Sequence, residues 1–329
     1  MVYMERLSAP LCVSIFCLAA GMLYAEGQVS GASSASPLMR IATSGAGDSA
    51  LPNEPFTVRS RVEEVSVRFV ATDAKGAVVT GIDPGDIRVF DDQEPIGELR
   101  SFELVGRQPL RIGLVVDLSD SIRTEQLTQM IKAVDLLASV FDAKRDKAFL
   151  VGFSNQARLI QGATGDIASI QQSLRQNPGK QGLTSLYDAL LQTCENEFPV
   201  EDASHEQRIM LLFSDGQDTL SMHGMDDAWK AALRAKATIY ALTAASTQSD
   251  GYSTLRTLTG KTGGRVFSLQ KKHDLDQAVA GMTRAVEDEY AITFRPATGR
   301  VGFHAVRLEL PDHKELKVQA TSGYFLDQK

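Results

Sequence analysis

The side chains best suited to chemistry in this sequence are oxygen donors. Asp117-Leu118-Ser119-Asp120-Ser121 follows directly on the apolar run RIGLVV, and Ser214-Asp215-Gly216-Gln217-Asp218 follows directly on RIMLLF. Between them GKQGLTSLYDAL places Thr184 just ahead of a helical pattern. Carboxylates and hydroxyls with no His or Cys among them make a hard donor set, suited to Mg²⁺, Mn²⁺ or Ca²⁺ rather than zinc. Asp117, Ser119 and Ser121 alternate, so one extended turn aims three oxygens the same way. Most of these ligands are neutral. A divalent ion held by them keeps net positive charge and, in an octahedral shell, one position for water or for a carboxylate from another molecule. Each loop also has an ordinary reading, because Asp and Ser at strand-to-helix junctions are common N-caps and Thr184 is placed to cap SLYDALLQ. Three such loops in this order, each after the right kind of element, favour the metal site.

Such a site needs a scaffold that carries the three loops to one edge. RIGLVV, KAFLVGF, RIMLLF and ATIYALT are short continuous apolar runs, as expected of parallel strands buried on both faces. Amphipathic helices separate them. One has the stripe Leu127, Met130, Ile131, Val134, Leu137, Ala138 and Phe141, and another has Leu275, Ala278, Val279, Met282 and Val286. This alternation predicts a doubly wound, Rossmann-like α/β domain over residues 110–288, with a mostly parallel sheet and its ligands beyond the carboxyl ends of the strands. KAFLVGFSNQARLIQGAT reads as a hairpin that adds an antiparallel edge strand. On either side the period changes to two. Within 56–105, Val65, Val67, Phe69 and Ala71 alternate with Ser66, Arg68, Val70 and Thr72, and within 289–329, Val306, Leu308 and Leu310 alternate with Arg307 and Glu309. Neither segment has strands enough for a two-layer core. The two ends are therefore expected to pair into one small discontinuous β-sandwich-like domain into which the α/β domain is inserted.

The chain has 329 residues and is 43% hydrophobic, which allows two domains and excludes wholesale disorder. Its 34 Lys and Arg against 41 Asp and Glu leave a net charge of -7, which opposes a nucleic-acid backbone. Cys12, Cys17 and Cys194 define neither a disulfide framework nor a CxxC metal site. Cys194 shares a helical face with Leu186, Ala189 and Leu190, so a buried, inert thiol is expected. Arg6, the apolar stretch Leu11 to Leu23 and the small Ala25 read as a secretory signal over residues 1–25. The apolar run is short of the about 20 residues of a stable membrane span; cleavage and retention as an anchor both stay open. Residues 26–55 are rich in Gly, Ser, Ala and Pro and read as a flexible linker. The expectation is export to the periplasm, cell envelope or exterior, with no membrane span once the signal is removed.

With these residues in place, the chain resembles the von Willebrand factor type A (vWA) domain, whose metal-ion-dependent adhesion site (MIDAS) reads DxSxS, then a Thr, then an Asp. The likeness runs over roughly Leu110 to Asp288: DLSDS supplies Asp117, Ser119 and Ser121, GLTSLYDAL supplies Thr184, and FSDGQD supplies Asp215. More narrowly, VATDAKGAVVTGIDPGDIRVFDDQEPIGELRSFE, LTGKTGGRVFSL and EYAITFRP are similar to segments of the bacterial secreted VWFA-related family. Asp120 departs from it, standing where Gly is frequent, and leaves the metal's identity open. The resemblance implies a non-enzymatic module that binds a protein ligand presenting an Asp or Glu to the metal, with Mg²⁺ as first choice and Mn²⁺ or Ca²⁺ as alternatives. Ser154, Asn155 and Gln217 are expected to add specificity around it. One alternative is a structural envelope protein with an incidental metal site. Another is a Mg²⁺-dependent phosphoryl-transfer enzyme, but Ser119 stands where the usual phosphatase signature wants a second Asp. No GxxxxGK[ST] loop, closed GxSxG or HExxH occurs either. Asp218 is expected to be a loop cap, and Trp229, with Ala232 and Leu233, core packing.

Overall fold

A computed structural model of the chain describes residues 64–120, 124–177, 182–199, 206–270 and 274–327. The proposed signal and linker, Cys12, Cys17 and Ser121 lie outside these residues. Residues 60–329 make one compact unit. It opens with five strands, β1 (Val65–Thr72), β2 (Val78–Val79), β3 (Arg88–Asp91), β4 (Glu94–Pro95) and β5 (Leu99–Leu104). The middle runs β6 (Leu110–Asp117), α1 (Thr124–Ala138), β7 (Lys147–Phe153), β8 (Ala157–Thr164), α2 (Ile167–Gln176), α3 (Leu186–Glu197) and β9 (Gln207–Phe213). It continues with α4 (Met225–Arg234), β10 (Ala237–Thr243), α5 (Asp250–Lys261), β11 (Val266–Ser268) and α6 (Asp274–Glu287). Four strands close the chain: β12 (Tyr290–Phe294), β13 (Gly302–Glu309), β14 (Lys317–Ala320) and β15 (Gly323–Leu326).

The middle segment forms a six-stranded sheet in the order β11-β10-β9-β6-β7-β8. All neighbours are parallel except β7 and β8, which pair antiparallel as the hairpin pattern predicts. The continuous apolar runs are explained by burial on both faces. Leu110, Ile112, Leu114 and Val116 of β6 enter a core with α1, α2 and α6, while Val115 enters a second core with α3, α4 and α5. Gly113 keeps room on that second face, since a Cβ there would come within 2.4 Å of the Phe149 ring. β6 lies between β7, which follows it through α1, and β9, which comes later in the chain. The strand order reverses there, and in such sheets ligands bind beyond the carboxyl ends of the strands that flank the reversal, here β6 and β9.

The two ends of the chain pair with each other. β1 pairs antiparallel with β12, Phe69 opposite Tyr290, and with β14, Phe69 opposite Ala320. β3 pairs antiparallel with β13, Val89 opposite Leu308. A third core collects Val67, Phe69 and Ala71 from β1, Val89 from β3, Ile292 and Phe294 from β12, Val306 from β13 and Leu326 from β15. One expectation from the alternation does not hold. Val70, on the polar-reading face of β1, is 2% exposed and packs into the core beneath α1 and α6. Strand β1 therefore meets apolar surface on both faces, which a two-residue period cannot disclose. Cys194 is buried, and burial pushes its thiol pKa up, with the Glu195 charge adding to the shift. Trp229 is core, as expected, packed edge-on against Phe303.

A polar knot ties the first strand to the α/β segment. Arg68 Nη1 donates to Glu289 Oε2 at 2.9 Å, and Gln207 Nε2 donates to the same oxygen at 2.9 Å. The side chain of Glu289 is 12% exposed and that of Arg68 30%. Burial raises the Glu289 carboxyl above its ordinary value, and the Arg68 charge and the hydrogen bonds offset part of that rise.

Candidate metal centre

Asp117 is the last residue of β6 and is fully buried. Its Oδ1 accepts the Ser119 backbone N–H at 3.0 Å, and its Oδ2 accepts the Ser214 hydroxyl at 3.1 Å. Burial raises the Asp117 pKa, the Ser119 and Ser214 bonds oppose that rise, and the nearby Asp215 charge adds to it. A carboxylate in this position, desolvated and beside a second negative charge, is stabilised by a cation. Ser119 is buried beside it, Asp120 is exposed, and Ser121 lies outside the described residues.

The Asp215 loop is set by glycine. Gly216 has φ of 81°, and a Cβ there would meet the Gly251 carbonyl oxygen at 2.1 Å, so this turn packs directly against the first turn of α5. Ser214 Oγ also accepts Gly216 N–H at 3.0 Å, and Asp215 Oδ1 accepts Gln217 N–H at 3.0 Å. Asp215 itself is half-buried.

Thr184 is buried and held by its backbone. Its N–H donates to Thr219 Oγ1 at 3.0 Å, and its carbonyl accepts Thr219 N–H at 2.8 Å and Leu220 N–H at 3.0 Å. These bonds leave the Thr184 hydroxyl out of the frame. The same stretch joins the first loop, with Asp120 N–H donating to Gly182 O at 3.3 Å. Asp117, Ser119, Thr184 and Asp215 are thus carried on three loops cross-braced to one another at the carboxyl end of the sheet. Their donors, two carboxylates and two hydroxyls, fit a hard divalent ion.

The alternative reading of Thr184 as a helix cap is not what the bonds show. Ser185, not Thr184, is the N-cap residue of α3; its side chain makes no cap bond and its hydroxyl goes to Asn155 O at 2.9 Å. The first N–H groups of α3 are satisfied from another loop: Asp218 Oδ1 accepts Leu186 N–H at 2.7 Å, and Ser221 Oγ accepts Tyr187 N–H at 3.1 Å. Asp218 is a cap, as expected, but of a distant helix. Asn155 Oδ1 accepts Leu183 N–H at 2.7 Å, so this side chain braces the Thr184 loop. Ser214 is the residue that sequence reasoning missed. Its only signal was its place at the end of RIMLLF, beside Asp215.

Solved structures to which this chain is similar include an aerotolerance-related membrane protein from Bacteroides fragilis carrying multiple mutations to serines. It is 14% identical, with a TM-score of 0.42 over 52% of this chain and 98% of that one. The conserved hypothetical protein BatB from Bacteroides thetaiotaomicron is 17% identical, with a TM-score of 0.43 over 54% and 98%. Proximal thread matrix protein 1 from the mussel byssus, whose own MIDAS motif is occupied by zinc, is 16% identical, with a TM-score of 0.46 over 60% and 49%. The chain thus spans about half the length of that byssus protein. No curated protein matches the sequence. The family description "von Willebrand factor type A domain" matches residues 112–280, about half of the 329 residues and the span that carries Asp117, Thr184 and Asp215, and the chain belongs to that family.

Proposed function

We propose that this chain is an exported, non-enzymatic binding module that takes a protein ligand through a divalent ion. The ion, Mg²⁺ by donor chemistry with Mn²⁺ or Ca²⁺ as alternatives, is held by Asp117, Ser119, Ser121, Thr184 and Asp215. The ligand completes its shell with an Asp or Glu carboxylate. The observation that carries this reading is Asp117, a fully buried carboxylate at the strand-order reversal, with hydroxyls and a second carboxylate on the neighbouring loops. The surrounding surface supports a docking face. Leu183 is 53% exposed, Leu220 43% and Met222 92%, all on the loops that carry Thr184 and follow Asp215. Exposed apolar side chains on the same loops as exposed polar residues such as Gln217 are the composition of a protein-binding surface.

The test is capture of envelope proteins on the immobilised exported chain. Binding is expected with Mg²⁺, and it is expected to vanish with EDTA and in Asp117→Asn. Capture that persists in both the chelator and the variant would refute the metal-dependent reading.

For the rest of the chain, residues 1–25 act as the export signal, 26–55 as a tether, and 56–105 with 289–329 as one β domain interrupted by the α/β domain of 110–288. No helix among the described residues is long and apolar enough to cross a membrane. The pairing of β1 with β12 and β14 supports the split domain. Deleting Pro311 to Lys329 removes β14 and β15 and leaves Phe69 to Thr72 without the partners Lys317 to Ala320. Limited proteolysis of this deletion is expected to cut within residues 64–105 at least tenfold faster than in the full chain. Equal protection would overturn the split domain.

A further inference from the structure

A second group of ligating atoms lies in the paired end strands, on elements other than those that carry Asp117. The turn from β3 to β4 carries Asp91 and Asp92, and β13 brings His304 against them. Asp91 and His304 are both fully buried, and the side chain of Asp92 is 30% exposed. His304 Nδ1 is 3.2 Å from Asp91 Oδ1 and 3.2 Å from Asp92 Oδ2. The other ring nitrogen, Nε2, is 2.6 Å from the Arg300 carbonyl oxygen. A carbonyl oxygen only accepts, so Nε2 carries a proton and donates it. In the neutral ring Nδ1 is then a lone pair facing two carboxylate oxygens, which repel it unless a positive species sits among the three.

The outer atoms of this group are already held. Asp91 Oδ2 accepts the Tyr324 hydroxyl at 3.0 Å and Ala297 N–H at 2.7 Å, and Asp92 Oδ1 accepts Ala305 N–H at 2.9 Å. With the Nε2 bond to Arg300, each of the three side chains has its far polar atom fixed and its near atom turned inward. That is how outer hydrogen bonds orient metal ligands. The spacing agrees. A direct charge-assisted N–H···O bond is about 2.7 to 2.9 Å. A tetrahedron of zinc bonds about 2.0 Å long has edges of about 3.3 Å.

We propose that Asp91, Asp92 and His304 form a second cation site, selective for zinc-class divalent ions. One nitrogen and two carboxylate oxygens suit Zn²⁺ or Co²⁺ better than Mg²⁺ or Ca²⁺, the reverse of the all-oxygen set around Asp117. The fourth position opens on the Asp92 side. Arg300 Nη2 lies 2.6 Å from Asp92 Oδ2 there, on a side chain 53% exposed that a metal displaces toward solvent. The ion would link β3 to β13 and so staple the front of the chain to its end. Cys194 is the free cysteine among the described residues, and no disulfide there does that work.

The experiment is zinc titration by calorimetry on chelator-treated exported chain, in an Asp117→Asn background with excess Mg²⁺ so that the other loops are silent. One zinc per chain is expected to bind, and Co²⁺ in its place is expected to give the visible bands of a tetrahedral site. Adding His304→Gln is expected to weaken uptake at least 100-fold, and adding Asp92→Asn at least tenfold, with far-UV circular dichroism unchanged. If His304→Gln does not fold, Asp92→Asn decides. The proposal is overturned if the folded Asp117→Asn chain takes up no zinc, which leaves a proton to bridge the group. It is also overturned if uptake is unaltered by the added substitutions, which makes the zinc an adventitious ion only.

Discussion

Saturating Mg²⁺ is expected to raise the melting temperature of the exported chain by roughly 5 to 10 °C. An ion that binds only the folded state adds about 2.7 kcal/mol when present at one hundred times its dissociation constant. For a unit of this size each kcal/mol moves the midpoint by roughly 2 to 4 °C. The physical source is Asp117, whose ionised form is penalised by burial and by the Asp215 charge until a cation sits beside it. Asp117→Asn keeps one oxygen to accept Ser119 N–H, turns an amide N–H toward the Ser214 hydroxyl oxygen in place of the second acceptor, and loses the charge, so its midpoint should not respond to Mg²⁺. The sign with pH follows from the raised pKa. Without metal, the folded state holds the Asp117 proton more tightly than the unfolded chain, so stability is lost as pH rises toward the folded-state value. Metal binds the ionised form, so the Mg²⁺-induced shift grows with pH and shrinks in acid. Scanning calorimetry at several pH values measures this directly. The same shift in Asp117→Asn, or none at saturating ion, would remove the metal from this site.

Arg68→Met is expected to destabilise the chain by about 3 kcal/mol at pH 8. Breaking a buried ion pair on one side costs about 3 to 5 kcal/mol, and the low end applies because Arg68 is partly exposed. The loss comes from Glu289, left with Gln207 as its side-chain partner. Its carboxyl is already raised by burial with Arg68 in place and rises further without it. A raised carboxyl favours the folded state at low pH, and that contribution disappears as pH climbs through the raised value. The deficit of Arg68→Met relative to the parent should therefore be largest at pH 8 and smaller below pH 4, where the carboxyl is protonated in both. Adding Glu289→Gln to Arg68→Met should recover most of the loss, because the amide leaves no buried charge. Urea unfolding of the parent, Arg68→Met and the double variant at the two pH values tests this. A deficit independent of pH, or a double variant no more stable than Arg68→Met, would show that the charge on Glu289 is not its cause.

Much of the central sheet was legible before any coordinates. Runs such as RIGLVV and RIMLLF are apolar at every position because their strands are covered on both faces, and the stripe Met130, Val134 and Leu137 is helical because one face of α1 is buried. The places of the loops were legible for a related reason: a polar run directly after a continuous apolar run marks where the strand leaves the core. The partners that hold them were not. Asp218 caps α3 from 32 residues away, and Ser214 reaches Asp117 across 97 residues. An orphan N–H or a buried carboxylate requires a partner, but nothing local says which distant loop supplies it.

By itself, the sequence determined the α/β segment, the order of the oxygen-bearing loops and the period-two character of both ends. These rest on periodicity and residue chemistry, which are properties of neighbours along the chain. Only the tertiary structure decided that Val70 is buried beneath α1 and α6, that Thr184 is held by its backbone, and that His304 meets Asp91 and Asp92. A period of two would have placed His304 on the inward face with Val306, yet a buried histidine acquires meaning only from what faces it. Those facing groups come from strands more than two hundred residues apart, brought together by packing free energy spread over whole cores.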